Sequence, residues 1–487
     1  MDVRGRSPVP SASAPDRLIL PVLVPALVLV SMLPYLAGYR LSGDDIWFLL
    51  VAIDAQASVA DNALRIAIDQ GRIGQLLMLP LNVLGAYLSG GLVWRVVFVA
   101  LYVLQLLLFA VFVGEILRRD VRVFLFVLLV GLHPLAFAFM PPNAYPLQNT
   151  VPLIVILAAR IVIVRTRERR LARPATVALA QAVFALGMFV SEFAVAFGTA
   201  LLLAEYFSRI DALRREEGRT AGEAFRAAFA PRHMLADGAA VLAVLLPYAL
   251  FRWWHPGSYE GNSAAGIAHP LWIAGTIVGH VRDGTAFPRL GGGLSAAGAA
   301  DWSIALAAGA LTAVCLYRAA GGLMRLRAPV ATGVAALLLA AWVTLPVAVS
   351  TKYQAACMER GACAYLDSRI SYLAVTVAVA CAVAFACRHP LGRASVRQAL
   401  AICCVLLGVM AALTAIYNAG KARDMRLLHA VWLRADELAC AWPALARQEP
   451  AAIAAAVDSE GLIAITPPGS VADFWKVYVG WRAARCP

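Results

Sequence analysis

Two adjacent carboxylates, Asp44 and Asp45, stand in the stretch YRLSGDDIWFLL, about six residues past the first long apolar run. Adjacent acids there allow two readings. They can cap the helix expected from Ile46, where a carboxylate accepts backbone N–H bonds and meets the positive helix end. They can also act as a general base with a neighbour that orients it, or hold a divalent cation such as Mg or Mn. A base that takes a proton from an acceptor hydroxyl must lie outside the hydrocarbon yet within reach of a lipid-borne substrate, and both aspartates are so placed. A third acid, Glu192 in FVSEFAVAF, has apolar runs on both sides. At mid-membrane it would cost about 2.5–3.5 kcal/mol, so it is expected at a turn between two short spans. There it either bonds to the turn or faces the same outer layer as the aspartates.

Four cations accompany these acids: Arg72 in DQGRIGQ, Arg252 in FRWWHPGSYEGN, Lys352 in LPVAVSTKYQ and Arg369 in YLDSRISYL. Each can snorkel to a membrane interface. All four fall at the outer ends of expected spans, against the positive-inside bias. Basic groups converging there suit a phosphate or pyrophosphate head group. Tyr259, Tyr353, Gln354 and Tyr365 lie beside them and suit packing on, or hydrogen bonding to, a sugar. Trp253 and Trp254 read as interface-belt residues.

The elements that position these groups follow from composition. Of 487 residues, 61% are hydrophobic and 15% charged, too little polar surface for a soluble chain of this length. Apolar runs separated by Arg-rich or Pro/Gly-rich pieces predict a helical, polytopic membrane protein. Expected spans are Leu18–Gly38, Leu92–Leu117, Val121–Met140, Thr150–Val164, Ala175–Ser191, Phe193–Phe207, Leu235–Phe251, Trp302–Ala319, Pro329–Val349, Ile370–Cys387 and Gln398–Tyr417. The first run is too long for a signal-peptide core and reads as an anchor. The apolar piece Ile73–Ser89, interrupted by Pro80, Asn82 and Gly85, reads as an interfacial or re-entrant helix. The run 175–207 reads as two short spans meeting at SEF, because one helix of that length would reach roughly 50 Å. The spans are expected to hold almost no ionisable residues, with Glu115 and Glu205 near cytoplasmic ends.

The net charge of +13 is read through the positive-inside rule rather than as a nucleic-acid partner. Placing every arginine cluster in the cytoplasm gives a cytoplasmic tail (1–17), a transmembrane domain (18–417) whose first periplasmic loop is 39–91, and a periplasmic C-terminal domain (418–487). That last piece is expected to be small and α/β, with helices near Met425–Trp442 and Val471–Ala484 and a strand at Leu462–Thr466. Five cysteines fall in spans (Cys315, Cys381, Cys387, Cys403, Cys404). The four outside suggest disulfides Cys357–Cys363 and Cys440–Cys486. No Walker motif, dinucleotide fingerprint or zinc spacing occurs, which weighs against nucleotide-driven transport.

The acidic pair in the first outer loop, the "GR" at Gly71–Arg72, the "SEF" between two spans, SYEGN, STKYQ, YLDSRISY and about eleven spans together resemble the GT-C superfamily. These are integral-membrane glycosyltransferases that use polyprenyl-phosphate sugars; the chain is most similar in flavour to the bacterial O-antigen glucosyltransferase-like group. The resemblance implies an all-α polytopic fold of about 11 transmembrane helices with periplasmic juxtamembrane helices, in a bacterial inner membrane. It implies that Asp44 or Asp45 is the base or acceptor-positioning group, and that Arg72, Lys352 and Arg369 hold the donor phosphate. The acceptor would be a cell-surface glycan, lipid or protein. Two rivals stand beside it: a transporter or flippase of a lipid-linked glycan, which needs ionisable residues along a path, and a non-catalytic scaffold of envelope polysaccharide assembly.

Overall fold

The computed structural model describes residues 16–38, 40, 41, 43–54, 58–118, 120–135, 144–169, 174–229, 231–288, 290, 294, 297–326, 328–388, 395–463 and 471–486. Over these the chain forms helices α1 (Asp16–Met32), α2 (Gly43–Ile53), α3 (Val59–Gln70), α4 (Gln75–Leu88), α5 (Leu92–Ile116), α6 (Arg122–Gly131), α7 (Val151–Arg169), α8 (Pro174–Phe189), α9 (Glu192–Glu216), α10 (Ala221–Ala228), α11 (Pro231–Trp254), α12 (Pro270–Asp283), α13 (Ala299–Leu323), α14 (Pro329–Ala348), α15 (Thr351–Met358), α16 (Leu366–Arg388), α17 (Val396–Ala441), α18 (Pro450–Val457) and α19 (Val471–Ala483). Among the described residues there is no strand. Runs of Leu, Val and Ala with no water to bond their backbone close their hydrogen bonds within each segment, which favours helix.

Among the described residues, eight segments are long and apolar enough to cross a membrane: Ile19–Leu36, Leu92–Ile116, Glu192–Arg215, His233–Trp254, Ala299–Leu323, Pro329–Ala348, Leu366–Arg388 and Val396–Ala441. The chain is thus built as a multi-pass helical membrane protein, but the structure supports eight such helices rather than eleven. The expected span 121–140 is helical only to Gly131, where the chain breaks before His133 and Pro134; residues 136–143 lie outside the described set. Asn418 bridges that break, accepting from Leu135 N and donating to His133 O at 2.9 Å. Pro174–Phe189 is a shorter apolar helix. Val151–Arg169 carries Arg160 midway and a charged end. The run 175–207 does divide at Ser191, whose side chain caps α9 by accepting from Ala194 N. The α4 helix, at 14 residues, spans roughly 21 Å, short of a hydrocarbon core of about 30 Å.

The tail differs from expectation. Helix α17 runs unbroken for 46 residues, roughly 69 Å, straight through the expected boundary at 418. Leu462 and Ile463 form no strand; both amides donate to the Asp458 carboxylate at 2.8 Å, and residues 464–466 lie outside the described set. Among the described residues the end of the chain is therefore helical and does not support an α/β domain; α17 and α19 pack around Trp432, Phe474, Trp475 and Tyr478. A Cys440–Cys486 disulfide ties the two together.

The Arg-rich helix ends gather at one end of the body. Glu115 on α5 pairs with Arg122 at 3.0 Å and with Arg165 of α7 at 2.8 Å. Ser208 of α9 donates to Ile116 O. Near this end lies a buried charge network that corrects the expectation of spans almost free of ionisable groups. Arg160 bonds Asp237 at 2.9 Å and Glu205, while Arg167 bonds Glu205 at 2.8 Å and Asp237 at 2.9 Å. Gln181 and Tyr206 complete the shell of Asp237. Two guanidiniums face two carboxylates in a closed set, the arrangement in which buried charge is tolerated.

Candidate functional site

At the other end, α2 begins with Gly43, Asp44 and Asp45 in its first turn. There the helix dipole favours negative charge, yet the two carboxylates are used differently. Asp45 is buried, 1% exposed, and accepts from Tyr145 N at 3.3 Å. Asp44 is half-buried and accepts from the Tyr145 hydroxyl. Burial pushes the Asp44 carboxyl above the usual carboxylate range, against the Tyr145 hydroxyl and the nearby Lys352 charge, which hold it down. Tyr145 itself sits at φ 48° just before Pro146, a left-handed backbone that a bulky residue adopts only where its surroundings over-determine it. Asp44, Asp45 and the packing of Phe48 against its ring, 6.2 Å between centroids, supply that constraint.

Arg72 follows the αL glycine Gly71, which closes α3 at φ 63°. A side chain at Gly71 would meet His255 O at 2.4 Å and Gly257 N at 2.9 Å. The bare glycine lets the 255–259 loop dock there, with Ser258 N donating to Asp69 O at 3.1 Å. Arg72 then reaches the first turn of α9, giving Glu192 a two-point contact: Nε to Oε1 at 2.6 Å and Nη2 to Oε2. Glu192 raises the Arg72 pKa above its usual value although burial opposes this. Arg252, exposed at the end of α11, lies within charge range of Glu192.

Lys352 stands on α15 and donates to the Tyr259 hydroxyl at 2.9 Å, its ammonium 4.6 Å from the Tyr259 ring centre. Tyr353 packs on Tyr365 with centroids 4.6 Å apart, and Tyr365 on Phe193 at 5.9 Å. The Cys357–Cys363 disulfide joins the end of α15 to the segment that leads into Tyr365. It fixes Tyr353 against that ring, and Gly279 of α12 leaves room for both sulfurs. Gln354 is buried, and its amide nitrogen holds Gly266 O at 3.0 Å and Ala348 O at 2.8 Å, so that it braces the loop beneath the site.

Arg369 lies one helical turn past Tyr365 on α16 and is 1% exposed. It neighbours Tyr102 and His133. Its Nε and Nη1 have no hydrogen-bond partner, and among the described residues it makes no ion pair. Beneath it, Tyr35 meets His133 Nδ1 at 2.5 Å, and Tyr102 meets Nε2.

The structure thus brings Asp44, Asp45, Arg72, Glu192, Lys352, Tyr259, Tyr353 and Tyr365 to one end of the helices, around Tyr145. Asp44 feels the charge of Lys352, and Tyr365 lies within charge range of both Asp44 and Arg72. Arg369 sits deeper, Gln354 serves the scaffold and Arg252 stays at the edge. The cluster offers a carboxylate with a raised pKa, a cation (Lys352) without a carboxylate ion pair among the described residues, and a tyrosine wall. It has the parts for proton removal beside an anion. Among the described residues no three His, Cys, Asp or Glu side chains gather to hold a metal ion. For the divalent cation considered at the aspartate pair, one Asp45 oxygen already accepts from Tyr145 N.

Tyr145 was not among the sequence candidates. Its signal is an aromatic inside the turn-rich stretch PPNAYP, legible as a loop but not as a partner of Asp44 and Asp45, 101 and 100 positions away. The His280–Asp367 pair, Nδ1 to Oδ2 at 3.0 Å, was also missed, since the two residues stand 87 positions apart and no local pattern joins them. Comparison with protein-family models, curated proteins and solved structures returned no match.

Proposed function

We propose that the chain transfers a sugar from a polyprenyl-phosphate donor to an acceptor hydroxyl at the periplasmic face of a bacterial inner membrane, in the manner of a GT-C glycosyltransferase. The observation that carries this reading is a half-buried Asp44, raised in pKa, beside the Lys352 charge and the Tyr145 hydroxyl. The acceptor O–H attacks the anomeric carbon, the carbon–oxygen bond to phosphate breaks, and Asp44 takes the proton. Asp45 holds Tyr145, which in turn orients Asp44. Lys352 neutralises the leaving phosphate at the rim.

Arg369 is the deeper cation. A buried guanidinium with unpaired N–H groups is costly and calls for an anion in the working complex. A cavity of about 310 Å³ lies between α5, α9, α14 and α16, running from Ile370, the residue next to Arg369, past Phe109, Phe197 and Leu339 to Ser208 and Arg214 at the Arg-rich end. Its apolar wall suits a prenyl chain. Tyr259, Tyr353 and Tyr365 suit the sugar. In this reading Arg72 organises Glu192 and the tyrosine wall, because its fork is already taken.

The test is release of polyprenyl phosphate from a polyprenyl-phosphate hexose by the purified full chain with a glycan acceptor. Lys352→Ala and Arg369→Ala are expected to lower kcat/KM by about 10–1000-fold, the range for losing one charged contact to a developing anion. Donors left intact by the wild-type chain across several hexoses and acceptors would overturn the reading.

A further inference from the structure

A second basic cluster lies where the segment before α2 meets α5, α17 and α19. It is built from four elements: Arg40 before α2, Arg95 in the first turn of α5, His429 on the extension of α17, and Arg482 on α19. Two glycines make the room. A side chain at Gly38, where φ is 105°, would sit 2.6 Å from the His429 ring and 3.1 Å from Arg95 Nη1. One at Gly90 would sit 2.8 Å from Arg40 Nη2.

The charge does not balance. Among the described residues, Asp436 is the carboxylate that faces this group, and it is already shared. Tyr478 donates to it at 2.6 Å, Arg482 lies at 3.2 Å and Arg40 at 3.6 Å. Arg40 also donates to the Tyr478 hydroxyl at 2.7 Å and lies 4.8 Å from the Trp432 ring centre. Arg95 makes no ion pair or hydrogen bond among the described residues, and its Nε and Nη1 are buried without a partner. Arg40 Nε and His429 Nδ1 are likewise unpartnered. Three guanidiniums, one imidazole and one carboxylate repel unless an anion joins them.

The surroundings say which anion. Arg95 follows Leu92, Val93 and Trp94, all exposed, at the start of a membrane-crossing helix. A Trp there marks the lipid–water boundary, the depth of lipid phosphates. We propose that Arg95, Arg40 and His429 bind the phosphate of an anionic membrane lipid, whose acyl chains lie along the exposed start of α5. Nothing in this site touches Asp44, so it stands independently of the glycosyltransferase reading. Bound lipid would latch the first loop, α5 and the C-terminal helices together.

The test uses the full-length chain in zwitterionic nanodiscs with increasing phosphatidylglycerol, with bound lipid counted by native mass spectrometry and stability followed by thermal unfolding. Wild type is expected to retain phosphatidylglycerol and to gain Tm with its content. Arg95→Gln should weaken retention about tenfold, the loss of one charge-assisted contact, while Arg95→Lys and the exposed control Arg434→Gln keep it. Inorganic phosphate in zwitterionic discs should give no comparable Tm gain. A wild-type chain indifferent to phosphatidylglycerol, an Arg95→Gln chain that retains lipid as well as wild type, or a full Tm gain from inorganic phosphate alone would each overturn the proposal.

Discussion

Asp44 accepts the hydroxyl hydrogen of Tyr145, a residue 101 positions further along the chain, while the backbone of the same tyrosine is held by Asp45. One aromatic residue in a strained conformation thereby separates two adjacent carboxylates into different tasks. Asp45 is locked beneath the surface. Asp44 keeps a face toward the rim where Lys352 lies.

The pH dependence follows from the environment of Asp44. Its pKa is raised chiefly by burial, and the Tyr145 hydroxyl opposes the rise. A base must be ionised, so turnover should climb with pH through a midpoint above the ordinary carboxylate range. Tyr145→Phe removes an opposing contact and should move that midpoint further up, with a loss of rate of about 10–100-fold. The sign for stability is the reverse. A carboxyl whose folded pKa is raised favours the folded state while protonated and loses that contribution as pH rises through its folded value. Asp44→Asn should therefore raise Tm relative to wild type at pH 8 and change it little near pH 3. Thermal unfolding at the two pH values checks this.

Arg72 and Glu192 join the loop after α3 to the first turn of α9 by two hydrogen bonds. Both side chains are partly screened from water, so a double-mutant cycle with Arg72→Gln and Glu192→Gln should give a coupling energy of about 1–3 kcal/mol. Each single variant should also disturb Tyr365, which lies beside Phe193, and so raise KM for donor more than it lowers kcat. Additive effects on stability would contradict the pairing.

The Cys440–Cys486 disulfide closes a loop of 46 residues. Removing the constraint should cost about 4 kcal/mol on the loop-entropy model, felt mainly where α19 packs against α17. Cys440→Ala with Cys486→Ala should speed hydrogen exchange across 471–486 while leaving exchange in α13 and α16 unchanged. Equal exchange in both forms would mean that packing around Trp432 and Trp475 suffices.

Much of this site was legible from local chemistry. Acids and cations at the ends of apolar runs identified Asp44, Glu192, Arg72 and Lys352, and the cysteines outside the runs pair as expected. The rest was hidden because it depends on contacts distant in sequence. Arg160 lies in an otherwise apolar run, and its partners stand 45 and 77 positions away. Tyr145 looks like any loop aromatic until two aspartates meet it. The span at 121–140 reads as continuous by hydropathy, yet His133 and Pro134 end the helix early, and Asn418 supplies the bonds that the break leaves open. The tail was misread because residues 418–441 are polar on one face only. They continue α17 as a helix whose apolar face is buried against α19 and whose polar face is exposed.

The most direct measurement is single-turnover transfer from a polyprenyl-phosphate hexose by the purified chain carrying Asp44→Asn or Asp45→Asn, with donor binding measured in parallel. If Asp44 is the base, Asp44→Asn should lower the transfer rate at least about 100-fold with donor affinity within threefold of wild type, and Asp45→Asn should be less impaired. Full transfer by the Asp44→Asn chain, or loss confined to donor binding, would contradict the account.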